Sequence, residues 1–305
     1  MIDALQEIHP HATRRALAGA YALTSSVTAT VLLRIAPSTF VHANAILLLL
    51  WATTTAVATA CAGQAYVHSR FRAFDFVQHN EVGGFIVAVV GALYGVLLGF
   101  MTVIAWQHYA EARQVVAQES AAATDAWHTS VGMPASPRSR VRRDMLLYAE
   151  AMKEREWLAM RSGTYDKDAD LIVMDAISAA GNFVPANLKE SNAQSNTLQQ
   201  LGALHDYRWR RLSDNESGIS PFEWLVLLLG AACIVGFCWL FGLENRDVHL
   251  MMTSAVTIVV TATLVLLFEL QYPFQSDLRI ASGDWSGAVA HIQAMQSGSQ
   301  SEMRM

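Results

Sequence analysis

Charge is what this chain has least of. Only 15% of its 305 residues are Asp, Glu, Lys or Arg, against about 25% in an ordinary soluble domain. The deficit is concentrated: no such side chain occurs from Ile35 to Ser69, Val82 to Ala110, Trp224 to Leu243 or Leu250 to Phe268. Each stretch is long enough to cross a bilayer, which takes roughly 20 apolar residues. The net charge of −5 is gathered into no basic face, which sets nucleic acid aside as a partner. Cysteine is nearly absent, and Cys61, Cys233 and Cys238 all lie in uncharged stretches. Thiols there behave as small apolar residues, which argues against a disulfide framework.

Reaction chemistry is also missing. No Gly-x-Ser-x-Gly, His-Glu-x-x-His or phosphate-loop pattern occurs, so neither enzymatic activity nor a cofactor is expected. His9 with His11, and His79 with Glu81, lack the further spaced partners of a closed metal site, and no metal is expected. Asp166-Lys167-Asp168-Ala169-Asp170 imitates the start of a calcium loop. Leu171 stands at the required glycine position and Ile177 at the closing glutamate, so the segment reads as a solvated acidic turn.

What remains is helix. The fold expected is an all-α membrane protein with four spanning helices and a polar helical domain between the second and third. Residues 1–40 form an N-terminal segment, 41–106 the first spanning pair, 107–220 the helical domain, 221–270 the second pair and 271–305 a tail. Ala16 to Leu33 is uncharged but holds Thr24, Ser25, Ser26, Thr28 and Thr30, and reads as an interfacial helix or a fifth span. Arg14 and Arg15 with Ala43-Asn44-Ala45 leave a cleaved signal peptide open as a third reading.

The first span runs from about Asn44 to Val67, with Arg70 and Arg72 at its exit, and the second begins near Gly83. Nothing stops the second at the membrane edge, which Trp106 and Tyr109 mark: no proline or glycine follows until Gly132. A helix unbroken from Gly84 to His128 would measure about 67 Å, roughly twice the hydrocarbon thickness. Pro134 and Pro137 end it, and helices over Ser139 to Met160, Leu171 to Ala180 and Glu190 to Leu212 complete the domain. Pro221 opens the third span, and the short Gly242 to Asp247 connection makes the third and fourth antiparallel neighbours. In the tail, Ser286 to Met295 reads as a short amphipathic helix before a disordered Ser, Gln and Gly segment.

Eight arginines (14, 15, 34, 113, 208, 210, 211 and 279) flank the spans on the side of the helical domain, against Arg70, Arg72 and Arg246 opposite. Positive charge stays inside, so the domain is expected in the cytoplasm. On the second span Gly91, Gly95 and Gly99 stand four apart, with Gly84 and Ala88 beside them. That spacing lets helix backbones approach, within one subunit or along a seam next to a pore. Ile86, Leu93, Leu97 and Ile104 form a second row on this helix, which reads as a pore-lining apolar constriction or a lipid-facing stripe. Glu269, at the end of the fourth span, is the nearest ionisable group to membrane depth, at a helix end where its side chain reaches water.

An ordered set of residues resembles the bacterial bestrophin-like domain family, long classed as a domain of unknown function. It comprises Asn80-Glu81-x-Gly83-Gly84-Phe85, Tyr94, Leu97, Trp106, Tyr109-x-Glu111-Ala112-Arg113, Tyr148, Glu156-Trp157 and Arg210-Arg211-Leu212. Pro221, Trp224, Gly230, Phe241-Gly242-x-x-Asn245, His249 and Pro273-Phe274 follow, so that it covers about Asn80 to Ile280. Ser276 stands where the family pattern has glycine, and Gln271 where it has aspartate. The resemblance implies similarity to bestrophins, pentameric ion channels with four spans per subunit, cytoplasmic termini and a cytoplasmic helical domain. It points to a homo-oligomeric channel or pore for small inorganic ions in the bacterial inner membrane. The alternative is a non-conducting membrane scaffold or sensor whose helical domain binds a partner.

Overall fold

The computed structural model describes residues 42–71, 77, 80–216, 218–243 and 245–302. The fifth span or signal peptide, His9 and His11, Arg14, Arg15, Arg34, Arg72 and His79 lie outside the described residues. Among the described residues every regular element is helical. The chain divides into two compact units: the described residues up to Trp106 with Ile219–Leu270, and Gln107–Gly218 with the described residues from Gln271 on.

The first unit is built from α1 (Ala45–Arg70), the first part of α2 (Asn80–Thr129), α7 (Pro221–Trp239) and α8 (Arg246–Leu270). Their starts follow local chemistry. Asn44 caps α1, its Oδ1 accepting from Ile46 N at 3.1 Å and Leu47 N at 3.2 Å. Ser220 and Glu223 form a capping box around Pro221, and Asn245 Oδ1 caps α8 by accepting from Asp247 N at 3.0 Å. The threonines of α1 bond inward: Thr53, Thr54, Thr55 and Thr59 donate to the carbonyls one turn back at 2.6–2.8 Å. Each hydroxyl is thereby satisfied without water.

All four helices are long and apolar enough to cross a membrane, with mean hydropathy of 1.9 to 2.3 over their best 18 residues. Only 11–17% of each such window is buried within the chain. Apolar surface on that scale is not stable in water, and helices satisfy their own backbone, so lipid is the solvent that fits.

Within this unit α1 packs on α8, with Cys61 Sγ 3.4 Å from Ser254 Oγ. Gly63 is required where the Trp239 indole lies against α1, since a Cβ there would collide with the ring. The three cysteines are free thiols.

The second unit holds the rest of α2, a 3-10 turn (Ser130–Gly132), α3 (Ala135–Ala151), a π segment (Met152–Glu156) and α4 (Trp157–Arg161). After these come α5 (Lys167–Gly181), α6 (Leu188–Glu216) and α9 (Gly283–Glu302). Its core is a continuous cluster including Ala112, Val116, Trp127, Val141, Met145, Tyr148, Val173, Leu201, Leu204, Phe274, Trp285 and Ile292.

Three local expectations change. Pro137 does not bar helix: it sits in the first turn of α3, where no intrahelical N–H is needed. The helix expected over Ser139 to Met160 carries a π segment at Met152–Glu156. Met152, Glu156 and Met160, four apart, are all buried. An α-helix would rotate such a row by about 40° per step, and the wider π turn offsets that drift. Finally α9 runs Gly283–Glu302 rather than stopping at Met295. Trp285, Val289 and Ile292 anchor it in the core, and no proline follows to interrupt propagation. The acidic turn is the start of α5, with Asp166 as its cap accepting from Asp168 N at 3.0 Å.

Candidate functional site

The second span is anchored on one side. Tyr94, Leu98 and Ala105, four and seven residues apart and so on one helix face, are buried at 4–7% exposure. Tyr94 donates from Oη to Leu227 O at 2.9 Å. Its ring lies on Gly230, where a Cβ would collide with it. This aromatic–glycine contact fixes α2 on α7.

The other faces of this span are mostly exposed among the described residues. Ile86, Leu93 and Ile104 are 43%, 69% and 56% exposed, whereas Leu97, on the border of the anchored face, is only partly exposed. At 100° per residue Ile86, Leu93 and Ile104 fall within about 20° of one another, and Leu97 within about 40° of all three. The glycine row lies on the other flank of the anchored face. A Cβ on Gly91 would touch Ile234 Cδ1 at 3.8 Å, but Cβ atoms on Gly84, Gly95 and Gly99 would meet nothing within 4 Å. Packing within one subunit thus accounts for Gly91 and leaves open space beside Gly95 and Gly99 among the described residues.

Glu269 differs from expectation. It is 1% exposed at the end of α8, so the chain itself covers it rather than leaving it at a wet helix end. Glu81 lies in the first turn of α2, where a carboxylate suits the helix dipole. Among the described residues no group of three or more His, Cys, Asp and Glu side chains is placed to hold a metal.

The second unit contains a charged cluster that spacing alone did not reveal. Glu119 on α2, Tyr148 on α3, Glu156 in the π segment and Arg208 and Arg211 on α6 are all fully buried. Arg211 binds Glu119 through Nε at 2.5 Å and Nη2 at 3.0 Å, and reaches Glu156 Oε1 at 3.2 Å. Arg208 Nη1 donates to the same Oε1 at 3.0 Å and Nη2 to Asp166 O at 2.8 Å. Glu156 Oε2 accepts from Asp166 N at 2.8 Å, and Tyr148 Oη donates to Glu119 Oε1 at 2.5 Å. Two cations face two anions, and four helical segments are joined at one point.

Burial pushes the Tyr148 phenol well above its ordinary pKa, and the Glu119 charge adds to that. Burial alone would lower the Arg211 value, but the charge and hydrogen bonds of Glu119 outweigh it, and the guanidinium is held above its ordinary range. These groups stay in one protonation state, which suits a fixed strut rather than proton transfer.

The residues that carried the family resemblance meet in space within each unit. Asn80 Nδ2 donates to Gly242 O at 2.7 Å, and Gly242 N donates back to Asn80 Oδ1 at 3.1 Å. Beside them a Cβ on Gly83 would rest on the Phe241 ring at 3.7 Å. His249 Nε2 lies 2.9 Å from Cys238 O, at the carboxyl end of α7. In the second unit Trp157 stacks edge-on against Phe274, with centroids 6.1 Å apart, and its Nε1 donates to Ile280 O at 2.9 Å. Tyr109 Oη donates to Leu278 O at 2.8 Å. Gln271 and Ser276, where the family pattern has other residues, are buried in this same segment.

These contacts define an all-helical membrane protein whose marker residues hold its scaffold together. A family model of the Bestrophin-like domain matches residues 50–283. The chain belongs to that family. No curated protein and no solved structure matches the chain.

Proposed function

We propose that the protein is an oligomeric ion channel or pore of the bacterial inner membrane, with α2 of each subunit lining the axis and the second unit in the cytoplasm. The observation that carries this reading is the exposed side of the second span on α2: an uncharged helix face whose Gly95 and Gly99 adjoin open space among the described residues. Small residues there suit close approach by a helix of another copy. Ile86, Leu93 and Ile104 on the exposed surface, with Leu97 at its border, supply apolar side chains for a constriction that closes by dewetting. A family of bestrophin-like proteins supports a ring of subunits, and five is the number the resemblance implies. The permeant species are small inorganic ions.

Particle symmetry tests the reading. Purified protein in detergent, imaged by electron microscopy, is expected to form closed rings with an axial hole and fivefold symmetry. A monomer rules out this pore and favours the scaffold or sensor, whose helical domain binds a partner.

A further inference from the structure

Two histidines from distant parts of the chain face each other in the second unit. His128 lies near the end of α2 and His291 in the middle of α9, and their Nε2 atoms are 3.2 Å apart. The rings are 5.4 Å apart between centroids and tilted by 52°. Each sits on a fixed support. Trp127, 2% exposed, is the residue before His128 and meets its ring edge-on at 5.4 Å. The Arg142 guanidinium covers Trp127 at 4.0 Å from the ring centroid. Ile292, the residue after His291, is fully buried in the core. The pair itself is open to solvent: His291 is exposed and His128 half-buried.

Two neutral imidazoles at this distance share a single N–H···N hydrogen bond. The same separation is also the bite of a tetrahedral metal. With zinc–nitrogen bonds of about 2.0–2.1 Å and a tetrahedral angle, two ligand nitrogens stand about 3.3–3.4 Å apart. We propose that His128 and His291, after a small turn of the rings from the hydrogen-bonded arrangement, form a two-nitrogen chelate for a divalent transition cation of the zinc class, which on binding pins α9 to α2. Imidazole nitrogens select Zn²⁺, Cu²⁺ or Ni²⁺ over Mg²⁺ and Ca²⁺, which prefer oxygen. No third His, Cys, Asp or Glu joins the pair among the described residues, so water fills the other positions. Such a site exchanges its metal readily and suits sensing more than permanent structure. It stands independently of whether the protein conducts ions.

The test uses the full-length protein in detergent with any purification tag removed. Titration calorimetry with Zn²⁺ is expected to show a site that weakens at least ten-fold in His128→Gln and in His291→Gln. The double variant is expected to be no weaker than either single, because one lost nitrogen already breaks the chelate. Cu²⁺ bound to the unmutated protein is expected to show two imidazole nitrogens by electron paramagnetic resonance. Unchanged Zn²⁺ affinity and stoichiometry in the double variant would overturn the proposal, as would no Zn²⁺ binding at all. A readout that needs no variant is per-residue labelling of histidines by diethyl pyrocarbonate. Zn²⁺, but not Mg²⁺, is expected to protect His128 and His291 together, and equal labelling of the two with and without Zn²⁺ refutes the site.

Discussion

Arg211 grips Glu119 with two nitrogens of its guanidinium, at 2.5 and 3.0 Å, and neither side chain is exposed to solvent. Removing one member of such a pair leaves an unpaired charge in the interior, a loss of about 3–5 kcal/mol. Arg211→Met and Glu119→Leu are each expected to lower the unfolding temperature of the protein strongly, and the double variant to recover part of that loss. Arg211→Lys does not restore the contact, because an ammonium lacks the fork that meets both carboxylate oxygens. Differential scanning fluorimetry on the four variants checks this, and additive losses in the double variant would contradict it.

Tyr148 sets an alkaline limit. Its pKa in the folded protein lies well above the unfolded value of about 10. A raised value means that its contribution to stability is complete below pH 10 and is lost as pH climbs from there towards the folded value. Stability is therefore expected to fall above about pH 10, and Tyr148→Phe is expected to shallow that fall. Urea denaturation at a series of pH values reads the slope, and an identical slope in Tyr148→Phe would contradict the assignment.

The glycines of the first unit separate packing from assembly. At Gly230 even an added methyl meets the Tyr94 ring, and Gly230→Ala is expected to cost about 1–3 kcal/mol through overpacking. At Gly95 the space around an added Cβ is open within 4 Å. Gly95→Leu is expected to leave the helical content of the single chain intact and to disrupt the oligomer, as read by light scattering in detergent. An intact oligomer in Gly95→Leu would show that the glycine row faces lipid.

Asn80 closes the end of the first unit on Gly242 with a reciprocal pair of hydrogen bonds. Asn80→Ala removes both and leaves two backbone groups without a side-chain partner, at roughly 1–3 kcal/mol. Hydrogen exchange is expected to show faster opening at Gly242. Unchanged protection there would mean that the loop is held by other contacts.

Much of this was legible in the sequence because lipid imposes a coarse, one-dimensional signal. The uncharged runs located α1, α2, α7 and α8, and the absence of a breaker before Gly132 gave the length of α2. The buried cluster was not legible from spacing. Glu119, Glu156, Arg208 and Arg211 lie far apart in the sequence until α2, the π segment and α6 bring them together, and that convergence is tertiary. The resemblance pointed closer, since Tyr148, Glu156 and Arg211 were among the residues that carried it. Helix periodicity alone placed Ile86, Leu93, Leu97 and Ile104 on one strip, but it could not tell that Leu97 would sit at the edge of the face held by Tyr94.

Ion flux measures the central claim most directly. Liposomes loaded with salt and carrying the purified protein are expected to discharge, and Leu93→Ala or Ile104→Ala is expected to change the rate by widening the apolar constriction. Liposomes carrying the unmutated protein that hold their gradient as well as empty ones would contradict the account.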